Sequence, residues 1–234
     1  EQRKADASTA SPVVGTSNSL DKRYLRLTAA PDAAAVRPPA VLREAFALAK
    51  RRWQDGEADY LATCEALKSI RQDLTVQHVR DEFTADVYET HARVALEARD
   101  PAEYHQCASL AKALHAEGVQ GRMGAKAEFA AYRVLFAACS AWDSSTSEGT
   151  GAGAGFAEAM REAAALPPKV ARSKAVRHAL QAAAALARSD WLGFFHAFEG
   201  APRMTPYVLD TAINKVRGRA PLRARDPALT PCAL

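Results

Sequence analysis

Three carboxylates, Glu82, Asp86 and Glu89, are the first residues whose spacing could support acid–base chemistry. Intervals of three and four residues place them on one side of a predicted helix. A general acid or base also needs a cleft and a partner that shift its pKa, and the flanking sequence indicates neither. We therefore interpret these carboxylates as a solvated helix face.

The histidines and cysteines form no recognisable metal or nucleophile motif. His105 and Cys107 are two residues apart, on different faces of a helix, and the sequence contains no HExxH, GxSxG or CxxC motif. His91 continues an apolar stripe and is predicted to be a hydrogen-bonded core histidine. The cysteines, Cys64, Cys107, Cys139 and Cys232, are predicted to be reduced and buried. We predict no catalytic residue, no metal and no cofactor.

One run of cations near the end of the sequence has no acid among its members. It comprises Lys215, Arg217, Arg219, Arg223 and Arg225. Unmatched cations gain salt-dependent affinity when they contact phosphates. Two interpretations stay open, an unstructured basic tail and a nucleic-acid-binding segment.

The composition is typical of a helical globular protein. Of the 234 residues 48% are hydrophobic, and alanine, a strong helix former, supplies much of that share. The net charge of +4 is compatible with an anionic partner but too small to indicate one. No apolar run approaches the roughly 20 residues of a membrane span. The totals therefore argue against a membrane-spanning protein.

Apolar residues recur at intervals of three and four through most of the chain, and no stretch alternates as a strand would. We predict an all-α fold of about eight helices stacked as hairpins, an α-solenoid of the TPR or PCI type. The helical domain spans residues 19–217. Residues 1–18 are predicted to be a disordered lead-in, 143–155 a flexible Gly/Ser insertion, and 218–234 a basic, disordered tail.

Local signals predict several helix ends. Pro39 fits the first turn of a helix that ends near Gly56, and Asp100 caps a helix further along the chain. Later helices are predicted over 156–166 and 170–188.

The stretch KSIRQDLTVQHVRDEF, residues 68–83, is predicted to join two helices. Asp73 or Thr75 would cap the second helix, because either side chain can accept a bond from a free backbone N–H. Its cations, Lys68, Arg71 and Arg80, are balanced by acids of the same stretch. A stretch of zero net charge is a poor phosphate-binding surface, so we predict a polar junction with internal ion pairs.

Four segments occur in an order that resembles the conserved domain of the Sac-three/GANP family. They are SLDKRYLRLTAAPD, DYLATCEALKSIRQDLTVQHVRDEF, VYETHARVALEARDPAEYHQC and EFAAYRVLF. The resemblance spans residues 19–210 and is most specific over 68–107. Within the family it is closest to the branch that contains leukocyte receptor cluster member eight.

The resemblance implies a PCI-like stack of helical hairpins followed by a winged helix, which would be missing or truncated here. It implies a nuclear scaffold in mRNA export or transcription-coupled mRNA processing. A PCI-type protein, a small acidic subunit and RNA are the implied partners. Arg71, Gln72 and Asp73, within the SIRQDLT motif, are assigned the internal role of holding two hairpins together.

The sequence leaves three functions open. The preferred one is a non-enzymatic scaffold in nuclear mRNA processing or export. The alternative is a helical-repeat peptide-binding module without an RNA role, since a stack of hairpins offers a concave face. A helical enzyme has the least support, because no set of residues points to a reaction.

Overall fold

The computed structural model describes residues 13–27, 31–121, 125–143 and 151–219. Within these residues the chain forms α-helices and a short 3₁₀ turn, Ala33–Ala35, and it contains no strand. The prediction of an all-α fold of stacked helices is confirmed. None of the described helices has both the length and the apolar character needed to span a bilayer.

The chain divides into two compact units, Glu1–Ala125 and Lys126–Leu234. The helices of the first unit are α1 (Pro39–Gln54), α2 (Tyr60–Val76), α3 (Glu82–Glu97) and α4 (Pro101–Ala116). In the second unit they are α5 (Lys126–Asp143), α6 (Gly151–Ala164), α7 (Pro168–Ala171), α8 (Lys174–Ala187), α9 (Trp191–Glu199) and α10 (Thr205–Arg219).

In the first unit each helix packs against the next along the chain, as stacked hairpins do. The apolar faces of α1, α2 and α3 share one core, to which Leu42, Phe46, Leu67, Ile70, Leu74, Phe83 and Val87 contribute. Phe46 meets the edge of Phe83 with the ring centroids 5.7 Å apart. Such edge-to-face contact adds to the free energy of burying the rings.

In the second unit α5 packs against α6, α7, α8 and α10, and α8 also contacts α6 and α9. Phe129, Tyr132 and Leu135 are buried on α5. Because α8 buries mainly alanines, its backbone can approach its neighbours closely. This packing leaves the charged residues of α7 and α8 on the outside.

Side-chain caps account for where several helices begin. The carboxylates of Asp59, Asp81, Asp100 and Asp190 each accept a backbone N–H of the first turn of α2, α3, α4 and α9. Asp100 was predicted as a cap and is confirmed. The predicted cap of the helix after α2 is wrong, because α2 continues to Val76 and Asp81 caps α3.

Two other helix ends differ from prediction. The helix expected over 170–188 is divided into α7 and α8, because the Ser173 side chain accepts the Val176 N–H and starts a new helix. The helix expected from residue 156 begins earlier, at Gly151, inside the predicted flexible insertion. Ala152 and Ala154 favour helix between the glycines, and α6 packs on α5.

Part of the predicted disordered lead-in is ordered. Thr16 and Ser17 donate backbone N–H bonds of 2.9 Å to the carbonyls of Ala33 and Val36. Gly15 donates its N–H to Gln77 Oε1 at 3.2 Å, and a Cβ at this glycine would lie 2.4 Å from the Val36 oxygen. We call residues 13–27 and 31–36 the N-terminal segment. The tail predicted over 218–234 lies outside the described residues, except for the last two residues of α10.

Candidate functional site: buried ion clusters on helix α2

Helix α2 carries the residues of the SIRQDLT motif in the middle of the first unit. Asp59 caps the helix, and Leu67, Ile70 and Leu74 fix its apolar side against α1 and α3. Arg71 and Asp73 are two residues apart, so they point to different sides of the helix. Arg71 reaches α4, whereas Asp73 reaches the N-terminal segment.

Asp73 is the centre of one buried cluster, which we call the Asp73 cluster: Lys22, Arg37, Ser69 and Asp73. The two carboxylate oxygens of Asp73 contact Lys22 Nζ at 2.6 Å and Arg37 Nε at 2.7 Å. Arg37 is 1% exposed, and its other nitrogens donate to Ser69 Oγ at 2.9 Å and to the Leu20 carbonyl at 3.1 Å. The Asp73 carboxylate therefore joins α2 to the N-terminal segment through Lys22 and to Arg37, which directly follows that segment.

Glu103 is the centre of a second cluster, the Glu103 cluster: Cys64, Lys68, Arg71, His91, Glu103 and Cys107. The Asp100 cap places Glu103 in the first turn of α4. Its carboxylate contacts Arg71 Nη1 at 2.8 Å and Lys68 Nζ at 2.7 Å. Arg71 also contacts the Cys107 thiol and lies 5.3 Å from the centre of the Tyr88 ring.

His91 lies beside the Glu103 cluster without a hydrogen bond. It is fully buried, its Nε2 is 3.8 Å from Glu103 Oε1, and neither ring nitrogen has a hydrogen-bond partner. Burial, with Arg71 and Lys68 nearby, lowers the pKa of His91 to about 2. The ring is therefore neutral at physiological pH. The prediction of a core position is confirmed, but the predicted hydrogen bond is absent.

The Cys64, His91 and Glu103 side chains place their donor atoms within 4.8 Å of one another. Sequence spacing did not bring them together, because they come from three different helices. The trio fits a nucleophilic site poorly, since all three side chains are buried and reactive thiols need access. A cation would also have to share the Glu103 carboxylate with Lys68 and Arg71. Burial raises the pKa of the neighbouring Cys107 thiol to about 12, which keeps it protonated.

A third buried carboxylate corrects the prediction of a solvated face on α3. Glu89 is fully buried and Asp86 only 9% exposed. Glu89 Oε1 lies 2.8 Å from His115 Nε2 on α4 and accepts the Gly121 N–H at 3.0 Å. A Cβ on Gly121 would lie 2.6 Å from Glu89, so the backbone approaches as only glycine allows. Glu89 therefore faces α4 and the turn after it, whereas Glu82, the first residue of α3, is exposed as predicted.

The ion pairs of the 68–83 stretch also differ from prediction. Lys68 and Arg71 pair with Glu103 of α4, and Arg80 pairs with Glu117 at 2.5 Å. The acids within the stretch were expected to balance these cations, but Asp73 pairs with Lys22 and Arg37. The stretch is thus a connection to other elements rather than a self-neutralised junction.

Gln72, between Arg71 and Asp73 in the motif, also contacts the N-terminal segment. Gln72 donates through Nε2 to the Leu25 carbonyl at 2.8 Å. Leu25 itself is 69% exposed, so polar contacts dominate the docking of this segment.

A cleft of about 490 Å³ opens beside the Glu103 cluster. Tyr24, Gln72, Thr75, Tyr88 and Gln106 line it together with Lys68 and Arg71. Aromatic, amide and hydroxyl groups of this kind suit an extended peptide, whose backbone needs donors and acceptors.

The predicted nucleic-acid-binding residues fall at the edge of the described chain. Lys215, Arg217 and Arg219 lie in the last turns of α10, and their side chains are not described. Arg223 and Arg225 lie outside the described residues. Their role in binding stays a prediction.

We expect His91 to make the stability of the protein fall at acidic pH. Its folded-state pKa of about 2 lies below the unfolded value of 6.5. The unfolded state therefore binds a proton first as the pH falls, and stability present above pH 6.5 is lost progressively below it. From pH 7 to pH 5 the wild type should lose about 2 kcal/mol more than His91→Leu in urea unfolding. Parallel pH curves for the two proteins would contradict this.

Comparison with known proteins identifies the family of the chain. Residues 103–225, just over half of the chain, match the SAC3/GANP family. A SAC3 family protein A of Arabidopsis thaliana is 42% identical over 208 residues, covering 89% of this chain and 19% of that protein. A leukocyte receptor cluster member 8 homolog of Xenopus laevis is 39% identical over 219 residues, covering 94% of this chain and 25% of that protein.

A THP3 homolog of Schizosaccharomyces pombe is 39% identical over 221 residues, which cover 93% of this chain and 52% of that protein. The chain is an all-helical protein of the stacked-hairpin class. It belongs to the SAC3/GANP family, as its sequence motifs predicted. It spans between about a fifth and a half of the lengths of these relatives.

Proposed function

We propose that this chain is a non-enzymatic helical scaffold domain of a nuclear protein in mRNA export or transcription-coupled mRNA processing. Membership of the SAC3/GANP family is the observation that carries the proposal. The buried ion clusters are typical of a rigid scaffold rather than of a reaction site, because their charges neutralise one another away from solvent. A PCI-type protein and a small acidic subunit are the proposed partners.

Co-purification tests this function. We expect the tagged protein at its natural length, isolated from nuclear extract, to bring down a PCI-type protein together with mRNA-processing factors. The matched control lacks residues 19–217 and should lose both, because the partners would dock on the helical domain. Recovery of neither from the intact protein would overturn the proposal.

The cleft beside the Glu103 cluster favours one second function, a peptide-binding module without an RNA role. Its tyrosines and amides could hold an extended segment of a partner. Gln106 lines the cleft and belongs to neither buried cluster, so Gln106→Arg would obstruct the cleft without removing a cluster residue. Loss of the co-purified partner with this variant, together with no RNA binding by the wild type, would favour the peptide-binding function.

A further inference from the structure

The outer side of α7 and α8 carries a group of cations without acidic neighbours in the sequence. Residues 163–189 include no Asp or Glu but five Lys or Arg. Four of these are exposed and form no ion pair with any described carboxylate: Lys169, Arg172, Lys174 and Arg177. We call these four residues the α7–α8 basic patch.

Other arginines of the same unit are paired. Arg133 lies 3.6 Å from Glu162, and Arg203 lies 2.5 Å from Glu128. Arg188, the fifth cation of the acid-free stretch, is 4.0 Å from Asp190. These three arginines are thus ion-paired, whereas the four cations of the patch are not paired with a described carboxylate.

The four cations are close together along the two helices. Lys169 lies on α7 and Arg172, three residues later, is its C-cap, whereas Lys174 and Arg177 are three residues apart on α8. Residues three apart on a helix lie on the same side. Arg172 and Lys174 are two residues apart, so their Cα atoms are at most about 7 Å from each other. All four cations thus lie within nine consecutive residues, 169–177, and all four are exposed.

The position of these charges opposes the stability of α8. Lys174 is the first residue of the helix, and its first turn has no acid. The start of a helix carries a partial positive charge, which repels cations and attracts anions. A bound anion would offset the repulsion between these cations and the start of α8. Without a bound anion the repulsion remains.

We propose that the α7–α8 basic patch binds the phosphate backbone of RNA, an inference that rests on the proposed function in mRNA processing. No Phe, Tyr or Trp occurs within residues 163–190, so the stretch that carries the cations supplies none of the rings on which bases usually stack. Contacts are made to phosphates, and binding is independent of base sequence. The described residues of 163–189 expose no large hydrophobic side chain, and membrane-surface helices combine their cations with such residues.

Salt-titrated binding to a 20-nucleotide oligouridine, measured by fluorescence anisotropy, tests the proposal with the 234-residue chain. The patch variant changes all four cations to Gln. A control variant, Arg26→Gln/Arg51→Gln, removes two exposed cations of the first unit that form no described ion pair. A tail variant changes Lys215, Arg217, Arg219, Arg223 and Arg225 to Gln.

We expect the patch variant to bind oligouridine at least about tenfold more weakly in 50 mM salt. Its slope of log affinity against log salt should fall by about 3, or about 0.7 for each phosphate that is no longer neutralised. Two half-patch variants change either Lys169 and Arg172 or Lys174 and Arg177 to Gln. Each should give about half the decrease in slope. The melting temperature should be unchanged or higher, because the repulsion at the start of α8 is relieved.

A patch variant that binds like the control would overturn the inference. So would an effect confined to the tail variant, tighter binding of polyglutamate than of RNA, or no RNA binding by the wild type. The scaffold function is judged separately by co-purification, so each result assigns the failure to one proposal. Binding that is lost together with the fold is recognised from the melting curve, and the two half-patch variants then decide.

Discussion

Glu103→Gln is expected to lower the free energy of unfolding by about 3–5 kcal/mol, because it leaves a buried cation without its counter-ion. Arg71 is 8% exposed and pairs with Glu103 at 2.8 Å. Lys68 is 30% exposed and can turn its ammonium toward water. The destabilisation therefore comes mainly from Arg71, and urea unfolding followed by circular dichroism measures it.

Two comparisons isolate this effect. Adding Arg71→Met to Glu103→Gln removes both buried charges, and we expect the double variant to recover much of the lost stability. Glu117→Gln breaks the exposed pair with Arg80 and should leave stability unchanged within error. A double variant as unstable as the sum of its single changes would show that the pair is not the cause.

Asp73→Asn is expected to cost a similar amount, about 3–5 kcal/mol, and to act on a different part of the molecule. Asp73 is fully buried and holds both Arg37, at 2.7 Å, and Lys22, at 2.6 Å. An asparagine amide cannot neutralise either cation. Because both partners belong to or border the N-terminal segment, residues 13–27 and 31–36 should exchange their amide hydrogens faster well below the unfolding transition.

Hydrogen exchange with peptide resolution distinguishes this local effect from global unfolding. We expect α3 and α4 to keep their protection in Asp73→Asn under native conditions. Asp21→Asn, which breaks the exposed pair with Arg52 at 2.8 Å, is the matched control and should cost less than about 1 kcal/mol. Equal exchange of the N-terminal segment in both variants would refute the assignment to Asp73.

Helix type and many helix ends could be predicted from the sequence, because they depend on neighbours along the chain. The apolar spacing of α1 and the Asp100 cap of α4 are local signals, and both are seen in the structure. The break between α7 and α8 was missed, although Ser173 is of a residue type that favours helix caps over helix interiors. The Asp73 cap was wrong because the same carboxylate has a stronger partner 36 residues away.

The buried clusters could not be predicted from spacing, because their members come from separate helices. Glu89 lies among polar neighbours in the sequence, yet α4 and the turn at Gly121 cover it. Cys64, His91 and Glu103 belong to α2, α3 and α4 and share no local pattern. The family resemblance pointed to Arg71, Gln72 and Asp73 as internal residues, and these side chains contact Glu103, the Leu25 carbonyl and Arg37 within the first unit.

The pairing of Lys22 with Asp73 has a consequence for the order of assembly during translation. These residues are 51 positions apart, so the N-terminal segment leaves the ribosome well before its acceptor does. Its contacts to Gln72, Asp73 and Gln77 cannot form until the second helix has emerged and folded. The N-terminal segment is thus synthesised before helix α2 but reaches its final position after it, and during that interval it is accessible to chaperones and proteases.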